Sequence, residues 1–190
     1  AAELFVSNEC FTTDALEAAA MQAVTEVFES ELLSERERAA LLLPKNLKTL
    51  GQIRGHLTGE IVESLRFMLD DNSGFRKMLK GAACYPEMPF VVSIGPEEKA
   101  LFEKLVPLTK VSGERRIDIS GKIDLALRYP DGTWRIVDYK TDRMLPCDHG
   151  DVQAFRCRLD REYGNQLSTY QAVLEYLTGG KVIEAKLLAI

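Results

Sequence analysis

The sequence predicts an α/β fold, a mixed β-sheet flanked by helices, and three observations carry that reading. Residues 121–141, GKIDLALRYPDGTWRIVDYKT, alternate in side-chain character on both sides of Pro130-Asp131-Gly132, as two antiparallel strands around a tight turn do. Two long stretches, one from Thr13 and one over about residues 152–177, repeat apolar residues at helical spacing. Isolated strand-like runs, CYPEMPFVVSI and KVIEAKLLAI, lie before the hairpin and at the chain end, so helices and strands are interspersed.

Taken in order, Thr13 and Asp14 suit the cap of a helix through ALEAAAMQAVTEVFESELL, with Leu16, Ala20, Ala23, Val27 and Phe28 as its apolar stripe. After Pro44 a second helix is expected from about Leu47 to Leu69. Gly51, Gly55 and Gly59 weaken its first half and, being four apart, would let another backbone approach along one side. GFRKML reads as a short helix, CYPEMPFVVSI as a strand and GPEEKALFEKLV as a short surface helix, and from Thr109 the chain leads into the hairpin. After the irregular MLPCDHGD comes the long helix, with a break expected near Gly164 and a stripe of Tyr163, Leu167, Tyr170, Leu174 and Leu177. Gly179-Gly180 stop it, and KVIEAKLLAI is the last strand. There is no internal repeat and no low-complexity segment.

The hairpin poses a physical problem. A three-residue loop closed by a glycine bulge pairs Tyr129 with Thr133, so that Leu127 faces Arg135, Ala126 faces Ile136 and Asp124 faces Asp138. Directly opposite residues share a face, with Cβ atoms about 4.5–5.5 Å apart, and like charges placed so are destabilising. Lys140 lies on the same face, diagonal to Asp124, while Ile123, Leu125, Leu127, Tyr129, Val137 and Tyr139 make the opposite, core-facing side. Two readings stand at this point. Either the charged face is solvated, with Lys122 and Lys140 neutralising the aspartates as a surface ladder, or a divalent cation lies between the carboxylates with Lys140 beside it to handle a phosphate or a water.

Composition narrows the class. With 190 residues, 46% hydrophobic and 28% charged, the chain is large enough for a real core and is not a disordered tail. No apolar run reaches membrane-spanning length and AAELFVSNECF lacks a signal-peptide pattern, so the expectation is a cytoplasmic protein with no membrane partner. The alanine start and strand-like end suggest a single domain cut from a longer polypeptide, with residues 1–45 a helical segment and 46–190 the core. A net charge of -5 argues against a surface that grips nucleic acid everywhere. It leaves room for a local groove, because Arg115, Arg116, Lys140, Arg143, Arg156, Arg158 and Arg161 cluster around the hairpin. Cys10, Cys84, Cys147 and Cys157 show no CxxC spacing; reduced thiols are the default, and an iron-sulfur cluster is the alternative that convergence in space would allow.

Several of these segments, taken in order, resemble one family. GKID at 121–124, IVDYKT at 136–141 and QLSTY at 166–170 resemble the G-x-x-D strand, D-Y-K-[ST] strand and Q-L-x-x-Y helix of RecB-type nuclease domains in the PD-(D/E)xK superfamily. PEMPF at 86–90 is similar to the upstream E-x-P-F strand, and RGHLTGEIVESL at 54–65 to the R-G-x-x-x-H-x-x-x-E helix. The likeness spans about residues 50–190, and DYKTDR is closest to the C-terminal nuclease domain of AddA-like helicase-nucleases.

The resemblance implies a restriction-endonuclease-like core and hydrolysis of DNA phosphodiesters as an exonuclease. It implies Mg2+ or Mn2+ held by Asp124, Asp138 and the carbonyl of Tyr139. Lys140 and Glu87 would complete the catalytic set with the two aspartates, and Gln166 and Tyr170 would contact DNA, Tyr170 having core packing as its alternative. The implied setting is a helicase-nuclease that processes double-strand ends in repair and recombination, its partner being a second helicase-nuclease subunit. Any ATP-driven unwinding would come from elsewhere, because the chain has no G-x-x-x-x-G-K-[ST] loop. One position departs from the pattern: Gly59 stands where the family has its metal-binding histidine, with Glu63 in place and His56 the histidine nearest along the helix. The alternative is therefore a weakened or inactive nuclease fold that binds DNA or a partner subunit.

Overall fold

In the computed structural model, one four-stranded sheet organises the second half of the chain. Its strands are β1 (Ala83–Ile94), β2 (Ile117–Arg128), β3 (Trp134–Lys140) and β4 (Val182–Ala189), in that spatial order. β1 and β2 run antiparallel, as do β2 and β3, while β4 lies parallel to β3, which makes the sheet mixed. A parallel neighbour requires a crossover. The helix Val152–Thr178 supplies it and packs on β3 and β4. The structure describes residues 6, 12–29, 49–71, 73–95, 97–98 and 116–189, in two compact units, Ala1–Lys80 and Gly81–Ile190. Cys10, the C-terminal end of the first expected helix and most of the expected surface helix GPEEKALFEKLV lie outside the described residues.

In the first unit, α1 (Thr13–Glu29) starts one residue earlier than its expected caps: the hydroxyl of Thr12, not of Thr13, accepts from Ala15 N at 3.2 Å. It buries Leu16, Ala19, Ala20 and Val24 and leaves Val27 47% exposed, so the helical period holds but its face is rotated. α2 (Leu50–Leu65) opens with a reciprocal capping box between Thr49 and Gln52 and packs against α1. It ends at Leu65 and continues as a 3-10 turn, Arg66–Met68. The expected close backbone approach along its glycines is not there: a Cβ at Gly51, Gly55 or Gly59 would meet nothing within 4 Å among the described residues. The short helix α3 (Gly74–Leu79) buries Phe75, Met78 and Leu79.

In the second unit, the hairpin forms as its turn chemistry dictates. Tyr129 N donates to Thr133 O at 2.9 Å, Gly132 N donates to Tyr129 O at 3.0 Å, and Gly132 takes the φ of 82° that the bulge needs. The register follows, with Leu125 opposite Val137, Ala126 opposite Ile136 and Leu127 opposite Arg135. The Val152–Thr178 helix, α4, is capped by Asp151, whose carboxylate accepts from Gln153 N at 2.7 Å, and ends on Gly179 at φ 65°. It does not break at Gly164: packing of Leu159, Ala172, Val173 and Leu174 outweighs the small helix penalty of one glycine. Leu177, expected on the buried stripe, is 47% exposed.

Both faces of the hairpin are covered, which a surface ladder would not need. Leu125, Leu127 and Val137 are buried, and so are Ala126 and Ile136 on the opposite side. The latter pair share a cluster with Phe90, Val92, Ile94, Ile123, Trp134, Val182 and the α4 residues Ala172, Val173 and Leu174. Strict alternation puts Ile123 with Leu125; instead it joins this second cluster, so the alternation slips between 123 and 126. Beside the slip, Glu87 adopts a left-handed φ of 51° between the pairs Pro86–Leu125 and Met88–Ile123. A non-glycine residue there costs about 1–3 kcal/mol and persists only where its surroundings enforce it.

Two glycines test this packing in opposite directions. Gly59 has room for a methyl group, so Gly59→Ala is expected to stabilise the chain by about 0.5–1 kcal/mol. At Gly121 a Cβ would lie 2.7 Å from Phe90 Cζ, so Gly121→Ala is expected to cost about 1–3 kcal/mol. Urea unfolding of the two variants against the parent checks both signs.

Candidate active site

The far end of the hairpin gathers Asp124, Asp138 and Lys140. Regular pairing between β2 and β3 ends at Leu125 and Val137, one step short of the aspartates. There the Asp124 side chain takes over from the backbone ladder: its Oδ2 accepts the Tyr139 N–H at 2.8 Å. Asp138, the next residue on β3, is 1% exposed and opposite Leu187 of β4. Its Oδ2 lies 2.5 Å from Lys140 Nζ in an ion pair, and it accepts no further hydrogen bond among the described residues. The solvated-ladder reading thus fails on burial. Of the two lysines that reading assigns to the aspartates, Lys140 does pair with Asp138, while Lys122 forms an ion pair with Glu87.

Glu87 extends the row. The β1–β2 register that joins Pro86 to Leu125 and Met88 to Ile123 sets Glu87 against Asp124, so three carboxylates follow one another across three strands. Electrostatics report the crowding. Burial pushes the Asp124 carboxyl above its ordinary value, the Tyr139 N–H opposes this, Asp138 raises it again, Lys140 partly offsets, and Glu87 adds to the rise.

Lys140 is held from α4. Its Nζ donates to Gln166 Oε1 at 3.1 Å and sits 4.4 Å from the centroid of the Tyr163 ring. Gln166 in turn donates from Nε2 to Tyr170 OH at 2.8 Å, and the Tyr170 ring meets Phe90 edge-on at 5.7 Å. Phe90 lies over Gly121, so the aromatic of one sequence motif occupies the space left by the glycine of another. Tyr170 therefore packs against the core cluster and also anchors the polar row.

Sequence reasoning misses a second layer. Arg158 donates to both carboxylate oxygens of Asp148, each at 3.2 Å, and to Arg143 O at 2.9 Å. Asp148 has 2% of its surface accessible; Arg158 and the Leu145 N–H hold its carboxyl below the ordinary value. Arg158, which the sequence groups with the basic cluster around the hairpin, is thus committed to fastening the loop after β3 onto α4. Tyr163 does the same, donating from OH to Asp142 Oδ2 at 3.0 Å. Nothing in residue spacing marks these pairs, since they join a loop to a helix at separations set by the fold. Cys147 and Cys157 are exposed free thiols, and Cys84 is half-buried with its Sγ donating to Ala82 O at 3.9 Å.

The donor set suits a hard cation. The carboxylates of Asp124 and Asp138 are oxygen ligands of the kind Mg2+ and Mn2+ take, and the buried Asp138 Oδ2 accepts no hydrogen bond among the described residues beyond its ion-pair contact with Lys140. No three His, Cys, Asp or Glu among the described residues are arranged as a ready cage. Two carboxylates completed by waters and substrate oxygens is nonetheless the usual habit of Mg2+.

Residues 2–190 match the PD-(D/E)XK nuclease superfamily. Over 120 residues the chain is 32% identical to one subunit of the ATP-dependent helicase/nuclease of Carboxydothermus hydrogenoformans, a stretch that makes up 60% of this chain and 9% of that protein. The chain therefore corresponds to a small part of that relative's length. No helix among the described residues is long and apolar enough to cross a membrane.

A carboxyl raised in the fold keeps its proton where the unfolded chain has lost it. Folding is therefore weakened as pH climbs from the ordinary carboxylate value through the raised one, and stays weakened above it. Asp124→Asn, whose amide oxygen can still accept from Tyr139 N, is expected to be more stable than the parent at neutral pH without divalent ions, by about 0.2–1 kcal/mol. That gain should shrink as pH falls through the ordinary carboxylate value and vanish about a unit below it, near pH ~3, where the parent carboxyl is protonated in both states. Melting temperatures of the two proteins across pH check the crossover.

Proposed function

The chain belongs to the PD-(D/E)XK nuclease superfamily, and on that premise we propose that it is a divalent-metal-dependent DNA nuclease domain acting as an exonuclease. The observation that carries this reading is the carboxylate row Glu87, Asp124 and Asp138, crowded and partly buried, with Lys140 locked beside it. In the proposal, Asp124, Asp138 and the carbonyl of Tyr139 hold Mg2+ or Mn2+, and Glu87 stands next to them as a further oxygen donor once it leaves Lys122. The cation, when bound, supplies Lewis-acid charge on the phosphate and lowers the pKa of a bound water.

The remaining work falls to side chains. Lys140 Nζ donates a hydrogen bond to a non-bridging phosphate oxygen, where charge grows in the transition state. Gln166 orients that ammonium through Oε1, and Gln166 and Tyr170 border the path of the DNA strand. Holding these groups on β3 and α4, rather than on a free loop, fixes them before substrate arrives. The relative's helicase/nuclease name supports a helicase-nuclease setting; the proposal extends it, on the family resemblance, to a longer cytoplasmic helicase-nuclease that works with a second such subunit on double-strand ends in repair and recombination.

Two points favour a second reading. By the family resemblance Gly59 stands in the place of a metal-binding histidine, and no three-ligand group is preformed among the described residues. A domain that keeps the fold and binds DNA or a partner subunit without cutting fits both. Cleavage separates the readings: the purified chain is expected to degrade single-stranded DNA in Mg2+ or Mn2+ and to stop on chelation. Lys140→Ala should lower that rate by about 10²–10³-fold. It should also melt at a lower temperature, because Asp138 loses its counter-ion in a buried place. Absence of metal-dependent cleavage by the parent in either ion would establish the binding reading.

A further inference from the structure

Lys140 ends β3 on a flexible four-carbon stem, yet its ammonium is defined from three sides. Asp138 Oδ2 and Gln166 Oε1 are its oxygen partners, at 2.5 and 3.1 Å. Together they engage at most two of its three N–H bonds. The third side is the face of Tyr163, with Nζ 4.4 Å from the ring centroid, well within cation-π range. An aromatic face attracts the charge without offering a lone pair along an N–H bond, so one proton stays available to an incoming oxygen.

The ring is itself built in. Tyr163, Gln166 and Tyr170 follow at helical spacing along one face of α4. The Tyr163 hydroxyl donates to Asp142, at 3.0 Å to Oδ2 and 3.2 Å to Oδ1. Asp142 lies two residues beyond Lys140 and is steadied by Arg158 Nη1 at 3.9 Å. The hydrogen bond to Asp142 and burial raise the phenol above its ordinary value, so it remains a donor. Ring and ammonium are thus fastened to the same strand end from both sides.

We propose that Tyr163 is a positioning residue for the nuclease reaction: its ring face fixes the Lys140 ammonium at the point where it meets the scissile phosphate. This rests on the reading of Lys140 as the reaction-site cation. Tyr163→Phe keeps the ring and loses the Asp142 bond, whereas Tyr163→Leu loses both.

With the full chain, two readouts apply: kcat and KM on single-stranded DNA, and the NMR shift of the Lys140 ε-methylene protons, which a ring face displaces upfield. Tyr163→Leu is expected to lower kcat by roughly 3–30-fold with KM little changed, and to return the ε-methylene shift towards its free value. Tyr163→Phe is expected to retain the upfield shift and most of kcat. The proposal is overturned if Tyr163→Phe loses as much kcat as Tyr163→Leu, which would assign the effect to the Asp142 bond and loop packing. It is equally overturned if Tyr163→Leu leaves shift and kcat unchanged. Should the parent itself fail to cleave DNA, the nuclease reading falls, and the ε-methylene shift alone then decides whether the ring places the ammonium.

Discussion

Two neighbouring aspartates just beyond the β2–β3 pairing, one of them buried, form the constraint around which the second unit is arranged. Asp138 sits at 1% exposure beside a single ammonium, and Asp124 commits one oxygen to a backbone N–H that the strand ladder would otherwise have paired. Burying carboxylates so close together weakens a fold unless positive charge arrives. Lys140 supplies part of it. The rest of the geometry keeps that ammonium from moving: Gln166 and Tyr163 hold it from α4, and α4 is held in turn by the crossover between β3 and β4. The arrangement gives up stability to leave an electrostatic demand in place, which is how sites prepared for a cation or a phosphate differ from ordinary ion pairs.

Packing and chemistry share residues here. Phe90 fills the space over Gly121 and meets Tyr170, whose hydroxyl accepts from Gln166, whose carbonyl oxygen receives Lys140. A chain of contacts thus runs from the core cluster to the ammonium without leaving β1, β2, β3 and α4. On the other side, Arg158 fastens the loop after β3 through Asp148 and the carbonyl of Arg143, so the strand end that carries Lys140 is braced beyond as well as before it. The left-handed backbone of Glu87 belongs to the same arrangement: it interrupts β1 where a third carboxylate stands next to Asp124.

Much of this is legible in the residues. Hairpin register from Arg128–Trp134 to Leu125–Val137 follows from a three-residue turn, because loop length fixes pairing; the expected Asp124–Asp138 pair falls one step beyond it, where the Asp124 side chain replaces the ladder. Gln166 and Tyr170 are legible by motif, and α4 by its period. The failures have physical causes. Strict alternation places Ile123 with Leu125, but a positive φ in the neighbouring strand is invisible to a pattern of side-chain types. Glycine spacing in α2 suggests a close neighbour, although glycine only permits an approach and does not cause one. Gly164 looks like a break, yet tertiary packing along α4 overrides one weak helix former. The roles of Arg158 and Tyr163 are hidden because their partners, Asp148 and Asp142, lie in a loop whose path no periodicity predicts.

Saturable binding of Mn2+ to the isolated chain, followed by calorimetry or by the loss of the free-ion paramagnetic signal, tests the central claim most directly. If the facing aspartates are a cation site, the parent chain binds Mn2+ and folded Asp138→Asn binds it weaker by about ten-fold or more. Equal affinity in parent and variant would contradict the account, as would a parent that binds no Mn2+ at all, and either result would leave Asp138 and Lys140 as a structural ion pair.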